Sequence, residues 1–275
     1  MLPTSPLILI TDSAPHDIYV SALKYHILLV LPRTFLLEFF IPPHDRDRVY
    51  KTAVYLLCNE HHFPSYTVFY IEVNTAQKIE HQKILLIQYN QKFIFSPDNG
   101  LVGLLESSKI QHIYAWKEHI HTSFFAKNEM LNALKNWVNS SMIVNTDFKE
   151  LLANECQRIF WPALQERTRP NGEKQLIVPV LYIDSFNNII LNFKKSDYDA
   201  YAQQYDIKIK LPFSQHTTIS GTYNDANNND ILILFNDAGY MEISSNGNPL
   251  ASLIIERNIY TGNQLPILLE LKPKS

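Results

Sequence analysis

Two carboxylates near the amino terminus have the types and spacing of a ligand site. Asp12 ends the apolar run Leu7-Ile-Leu-Ile-Thr, and Asp17 follows five residues later in Asp17-Ile-Tyr-Val20. An uninterrupted apolar run suits a strand covered on both faces. Ligand crevices in such sheets lie at the carboxyl ends of the strands, so Asp12 is expected at a mouth rather than in a core. An ionised acid only accepts hydrogen bonds, so it suits paired hydroxyls such as a ribose diol, or a cation. The competing reading is a helix cap, because Asp is a preferred cap and Pro15 lies just beyond.

Other chemistry finds less support. Alternate residues of a strand share a face, which makes His119-Ile-His121 the first place to look for a metal. No Cys, Asp or Glu lies close by in sequence to complete that site, and His61-His62 fares no better. No metal is expected. No Ser sits in a nucleophile elbow, and neither Cys58 nor Cys156 has a helix-start or basic setting that would favour a thiolate. The chain has only seven glycines, and neither a phosphate-cradling loop nor a dinucleotide fingerprint is present. Three further segments each read singly as a turn: Ser96-Pro-Asp-Asn-Gly-Leu101, Ile183-Asp-Ser-Phe-Asn-Asn188 and Asn236-Asp-Ala-Gly-Tyr-Met-Glu-Ile243.

The elements that would position these residues form two zones. Up to about Phe148 apolar runs alternate with segments of helical spacing. Strands are expected at Leu7 to Ile10, Ile27 to Leu31, Thr67 to Val73, Ile84 to Tyr89 and Phe93 to Phe95. Helices are expected at Asp17 to Tyr25, Arg46 to Leu57 and Lys127 to Asn139, the last with Met130, Leu131, Leu134, Trp137 and Val138 on one face. This is an α/β pattern, a mostly parallel sheet flanked by helices over residues 1–148. Residues 149–176 read as a helical piece and a polar, turn-rich linker. Residues 177–275 are rich in short strands, at Ile177 to Ile183, Asn188 to Phe193, Ile207 to Leu211, Ile231 to Asn236, Tyr240 to Ser244 and Leu265 to Leu271. Such spacing implies an antiparallel sandwich or a small barrel.

Composition narrows the partners. With 275 residues, 46% hydrophobic, the chain can bury a substantial core. Twenty-four basic and 27 acidic residues give a net charge of -3, which offers no general attraction to nucleic acid or anionic membranes. No apolar stretch reaches membrane-span length, and the amino terminus lacks the charged start of a signal peptide. Two cysteines in so long a chain point to a reducing compartment, and a soluble cytoplasmic protein is expected.

Taken in order, the motifs resemble the S-adenosylmethionine hydroxide adenosyltransferase family, which includes fluorinases and chlorinases. The family's opening Thr-Asp-Phe-Gly and Asp-x-Tyr-Val resemble Thr11 to Ala14 and Asp17 to Val20. Its Pro-Asp-Asn-Gly-Leu is intact at Pro97 to Leu101. Its Ile-Asp-x-Phe-Gly-Asn is similar to Ile183 to Asn188, and its Gly-Tyr-Leu-Glu-Ile to Gly239 to Ile243. The resemblance implies an α/β amino-terminal domain, a β-barrel carboxy-terminal domain, a homotrimer, and a ligand bound at a subunit interface. It implies displacement of methionine from the 5′ carbon of S-adenosylmethionine by hydroxide or halide, with no cofactor. By the same resemblance Asp12 accepts the ribose hydroxyls, Asp17 and Asp184 meet the methionine ammonium, and Phe186 with Asn188 contacts adenine. Backbone at Ser244 and Ser245 adds adenine contacts, and Asp237 stands where a Ser often meets the methionine end.

The reacting centre departs from that pattern. The family's Asp-Pro-Gly-Val-Gly run is Asn74-Thr-Ala-Gln-Lys78 here, its Arg is His81, and its catalytic His falls at Phe125. An amide cannot serve as a carboxylate base and a phenyl ring cannot move a proton. The Ser that helps hold halide falls at Ala126, an early pocket aromatic falls at Arg48, and three family glycines become Ala14, Ala76 and Asn187. The expectation is a divergent relative that binds S-adenosylmethionine or adenosine with weak or no hydrolysis. The alternative is an inactive scaffold or interaction protein that keeps the trimeric fold.

Overall fold

The computed structural model describes residues 6–42, 48–73, 83–117, 126–140, 146–211, 214–225, 227, 230–245, 250 and 267–274. The chain divides into two compact units, Met1–Phe160 and Trp161–Ser275.

The first unit is built on a mixed seven-stranded sheet with flanking helices. In chain order its elements are β1 (Leu7–Thr11), α1 (Ile18–Val30), β2 (Leu36–Phe40), α2 (Arg48–Asn59), β3 (Val68–Glu72), β4 (Ile84–Tyr89), β5 (Lys92–Pro97), β6 (Ile110–Trp116), α3 (Leu131–Asn139) and β7 (Phe148–Leu151). The sheet order is β2-β1-β3-β5-β4-β6-β7. Strands β2, β1, β3 and β5 run parallel, and β4, β6 and β7 pair antiparallel. The chain leaves β1 towards β2 and then returns past β1 to β3, so the two crossovers run in opposite directions. Right-handed connections therefore put α1 and α2 on opposite faces and make the gap between β1 and β3 a topological switch point.

Burial follows from this layering. Leu7 and Leu9 of β1 and Val68 and Tyr70 of β3 pack with Val20, Leu23 and Ile27 of α1 and with Leu134 and Trp137 of α3. The alternate residues Ile8, Ile10, Phe69 and Ile71 are also fully buried, as expected for strands covered on both faces.

The run Ile27 to Leu31, expected as a strand, belongs instead to α1, which continues to Val30. Its apolar residues spread around the helix, and Tyr25, Leu28 and Leu29 are exposed. A helix apolar all round shows no periodicity to separate it from a buried strand. A single turn of π-helix, Ala126–Met130, leads into α3. Residues 149–176 hold no α-helix; they carry a 3-10 turn at Ala153–Glu155 and the strand β8 (Gln165–Thr168).

The second unit contains two antiparallel sheets. Its remaining elements are β9 (Lys174–Val178), β10 (Val180–Ile183), β11 (Ile189–Lys194), α4 (Lys195–Ala202), β12 (Tyr205–Leu211), β13 (Ser214–His216), β14 (Ile231–Phe235), β15 (Tyr240–Ser245) and β16 (Ile267–Pro273). One sheet has the order β10-β11-β15-β14 and the other β13-β12-β16-β9-β8. Leu176, Val178, Ile209 and Leu269 from the second sheet share one core with Ile189, Leu191, Met241 and Ile243 from the first. The single strand expected at Ile177 to Ile183 is broken at Pro179, where the chain passes from one sheet to the other. Proline has no N–H to give a ladder, and its carbonyl accepts Asn192 N at 2.8 Å. Among the described residues no helix is long and apolar enough to cross a membrane.

Candidate functional site

The carboxyl ends of β1 and β3 carry a group of polar side chains at the switch point. Thr11 and Glu72 are register partners across the parallel pair, so their side chains emerge on the same face. The Thr11 hydroxyl donates to Glu72 Oε2, Ser13 Oγ donates to Glu72 Oε1 at 3.3 Å, and Ser13 N donates to Thr11 Oγ1 at 3.0 Å. Asp12, one residue on, turns to the opposite side. Its Oδ2 lies 2.5 Å from Nη1 of Arg48, the first residue of α2, and its backbone N donates to the Glu72 carbonyl at 3.1 Å.

Asp12 is nearly buried, and it does not cap the helix. That position belongs to Asp17, whose carboxylate accepts Tyr19 N at 2.8 Å. The helix-cap expectation for Asp12 is corrected by five residues, and the carboxylate at the end of β1 is left to bind something else. In this structure that partner is Arg48.

Glu72 is a site residue that sequence reasoning passed over. It ends the otherwise apolar strand Val68-Phe-Tyr-Ile-Glu72 and is 4% exposed. Burial lifts its carboxyl to about 7, against the opposing pull of the Thr11 and Ser13 hydroxyls and with help from the charges of Asp12 and Asp17. A lone acid in a five-residue buried run was the available signal.

The intact Pro97 to Leu101 segment is architectural. Asn99 Nδ2 donates to the Val73 carbonyl at 3.0 Å, and Asn99 Oδ1 accepts Leu101 N at 3.2 Å. Asp98 Oδ1 accepts Gln157 N at 2.8 Å, and Gly100 O accepts Ile159 N at 3.0 Å. Gly100 has φ +98°, and a Cβ there would fall 2.4 Å from Ile159 Cγ1. The motif ties the end of β3 to the 157–160 segment. Nearby Cys156 is buried and its thiol is pushed up to about 11, chiefly by that burial, which removes it as a nucleophile at neutral pH.

In the second unit Asp184, Asn188 and Ser244 come together. The hairpin joining β10 to β11 is closed by Asp184 Oδ1, which accepts Phe186 N and Asn188 N, both at 2.8 Å. Asn188 Nδ2 donates to Asp184 Oδ2 at 2.9 Å, and Ser244 Oγ donates to Asn188 Oδ1. Asn187 stands at φ +65°, the left-handed region where Asn is the best substitute for Gly, so the turn keeps its shape without a glycine. The Phe186 ring projects from the tip, 79% exposed. Ser245 ends β15 opposite Ile231.

Beside this group, Tyr223 donates to Glu242 Oε1. Burial raises the Glu242 carboxyl above its ordinary range, with the Tyr223 hydrogen bond opposing and Asp184 assisting.

Asp237 does not join them. It lies in the exposed turn between β14 and β15, whereas Ile189, next to Asn188, pairs with Ile243 near the other end of β15. The two turns are separated by the length of β15, roughly 15–20 Å at the rise of a strand. Asn74, His81 and Phe125, with His119 and His121, fall outside the described residues.

The model of the SAM hydroxide adenosyltransferase N-terminal domain matches residues 7–137, and that of the SAM hydroxide adenosyltransferase C-terminal domain matches residues 178–254. Two of the solved structures that share the fold show the extent of the likeness. One is an uncharacterized conserved protein from Thermotoga maritima, with 14% identity and a TM-score of 0.74. The other is a conserved hypothetical protein from Thermus thermophilus, with 14% identity and a TM-score of 0.66. Each alignment covers 97% of this chain and 99% of the other. No curated protein sequence matches the chain.

Proposed function

This chain belongs to the SAM hydroxide adenosyltransferase family, and on that premise we propose that it binds S-adenosylmethionine or adenosine at a subunit interface of a homotrimer, with weak or no hydrolysis to adenosine and methionine. The observation that carries this reading is the placement of Asp12. A nearly buried carboxylate at the carboxyl end of β1, beside the switch point and not engaged as a helix cap, suits a ribose diol. Asp17 and Asp184 are assigned to the methionine ammonium, Phe186 and Asn188 to adenine, and the Ser244–Ser245 backbone to further adenine contacts. The exposed Phe186 ring supports a stacking role. The reading needs no metal or cofactor, and it places the protein in a reducing cytoplasm on the strength of its two cysteines.

Self-association is supported by α1. Ile18 is 75% exposed and Tyr25 61%, with Tyr19 and Leu29 beside them, and such a face is stabilised by covering it. Static light scattering checks this directly: a stable monomer at micromolar concentration overturns the interface.

The decisive measurement is calorimetric titration with S-adenosylmethionine and with adenosine. Asp12→Ala is expected to abolish binding, and an unchanged affinity would remove Asp12 from the ligand. An inactive scaffold is the second reading. It is favoured by the Arg48 guanidinium already seated on Asp12 and by Asn74 and Phe125 standing in the sequence where the family carries its catalytic Asp and His. Absence of heat with both ligands at millimolar concentration selects it.

A further inference from the structure

Glu72 is a carboxyl at the end of an apolar strand, and two hydroxyls hold it. Oε1 accepts Ser13 Oγ, Oε2 accepts the Thr11 hydroxyl, and Ser13 N donates to Thr11 Oγ1, which fixes the turn that carries Ser13. Glu72 and Thr11 are buried while Ser13 is only half-buried, so of the two hydroxyls that reach the carboxyl the serine's belongs to the more exposed residue. Among the described residues, the charged groups acting on Glu72 are Asp12 after β1 and Asp17 at the cap of α1, both of which oppose its ionisation. Arg48 of α2 is engaged with Asp12. Tyr70, on the same strand, gives its hydroxyl to the Ala126 carbonyl at 2.5 Å and its own ionisation is opposed by Glu72. With its carboxyl lifted to about 7, Glu72 lies in the range where a general base works best at neutral pH.

We propose that Glu72 is the proton acceptor for attack of water on a sulfonium-bearing carbon bound at the carboxyl ends of β1 and β3, acting through the Ser13 hydroxyl. The proposal rests on the adenosyl-ligand reading above and adds to it a residue that delivers turnover. Water oxygen forms a bond to the 5′ carbon of S-adenosylmethionine as the carbon–sulfur bond breaks. The bonding pair leaves on sulfur, which becomes the neutral thioether of methionine. The water proton passes to Ser13 Oγ while the Ser13 proton passes to Glu72 Oε1, leaving adenosine, methionine and a protonated Glu72. Glu72 is thus a positioning residue that stores the proton and need not touch the substrate.

The test uses the full chain with S-adenosylmethionine from pH 5.5 to 8.5. Adenosine and methionine are quantified by chromatography above the enzyme-free background, with calorimetry in parallel. Release is expected to climb about tenfold per pH unit below 7 and to level off above it. Glu72→Gln is expected to lower the plateau about 100-fold and flatten the profile while affinity changes less than threefold. Ser13→Ala is expected to flatten it as well, and Ser13→Thr to retain the climb. A climb that persists in Glu72→Gln or in Ser13→Ala overturns the proposal. So does wild-type chain that binds S-adenosylmethionine and releases no adenosine at any pH, an outcome that leaves the binding reading intact. Failure of both ligands to bind overturns the two together. If circular dichroism shows Glu72→Gln unfolded, the Ser13→Ala variant decides the matter.

Discussion

Arg48 and Asp12, 36 residues apart, meet at 2.5 Å over the carboxyl end of β1. The helix that crosses from β2 to β3 thereby places a guanidinium on the carboxylate assigned to a ribose. A diol at Asp12 therefore competes with that guanidinium for the carboxylate.

Replacing Arg48 by Met is therefore expected to act in opposite directions on stability and affinity. The ligand-free chain should lose about 1 kcal/mol, because a nearly buried carboxylate loses this ion pair while the arginine itself is part-exposed. Adenosine affinity should rise by up to about tenfold, a gain of about 1.4 kcal/mol. Thermal melts with and without adenosine read both effects. A variant that melts lower and also binds more weakly would mean that Arg48 touches the ligand.

Stability should depend on the protonation of Glu72. Its folded-state value, raised from 4.5 to about 7 by burial, means that the folded chain holds this proton more tightly than the unfolded one. The associated stabilisation is fully present below about pH 4.5 and is lost as pH rises through 7. Its size is on the order of 3 kcal/mol. Urea denaturation at closely spaced pH values should show a decline between about pH 5 and 8 that Glu72→Gln removes, and an equal decline in the variant would place its origin elsewhere.

Gly100 is expected to tolerate no side chain. Its left-handed φ and the close approach of Ile159 are separate obstacles. Gly100→Ala should destabilise by about 2–4 kcal/mol, combining overpacking with strain. Adding Ile159→Ala should restore only part of the loss, because the backbone remains strained. Full restoration in the double variant would reduce the glycine to a matter of space.

Much of this architecture was legible from alternation and spacing. The apolar runs at β1, β3, β4 and β5 announced a sheet buried on both faces, and the turn clusters delimited β11, β14 and β15. Other elements carried no such signal. Strand β8, Gln-Glu-Arg-Thr, is exposed along its whole length and has no apolar face to detect, so it read as linker. The end of α1 read as a strand because its outward positions are leucines.

At the site, Asp12 was visible because it ends a run, and Arg48 only as the residue standing where the family has a pocket aromatic. Glu72 was missed because one acid in a strand has no period, and its importance depends on Thr11, 61 positions away. The Asp184–Asn188–Ser244 contacts were likewise invisible as contacts, since 56 residues separate Asn188 from the serine that holds it.

Pro179 lets one stretch of chain serve as a member of both sheets in the second unit, β9 on one side and β10 on the other. Neither sheet can peel away without dragging the other's strand out of register. Amide exchange in β11 and β16 should consequently share one opening free energy, so the turn that displays Asp184 and Phe186 is anchored on strands that open only with both sheets.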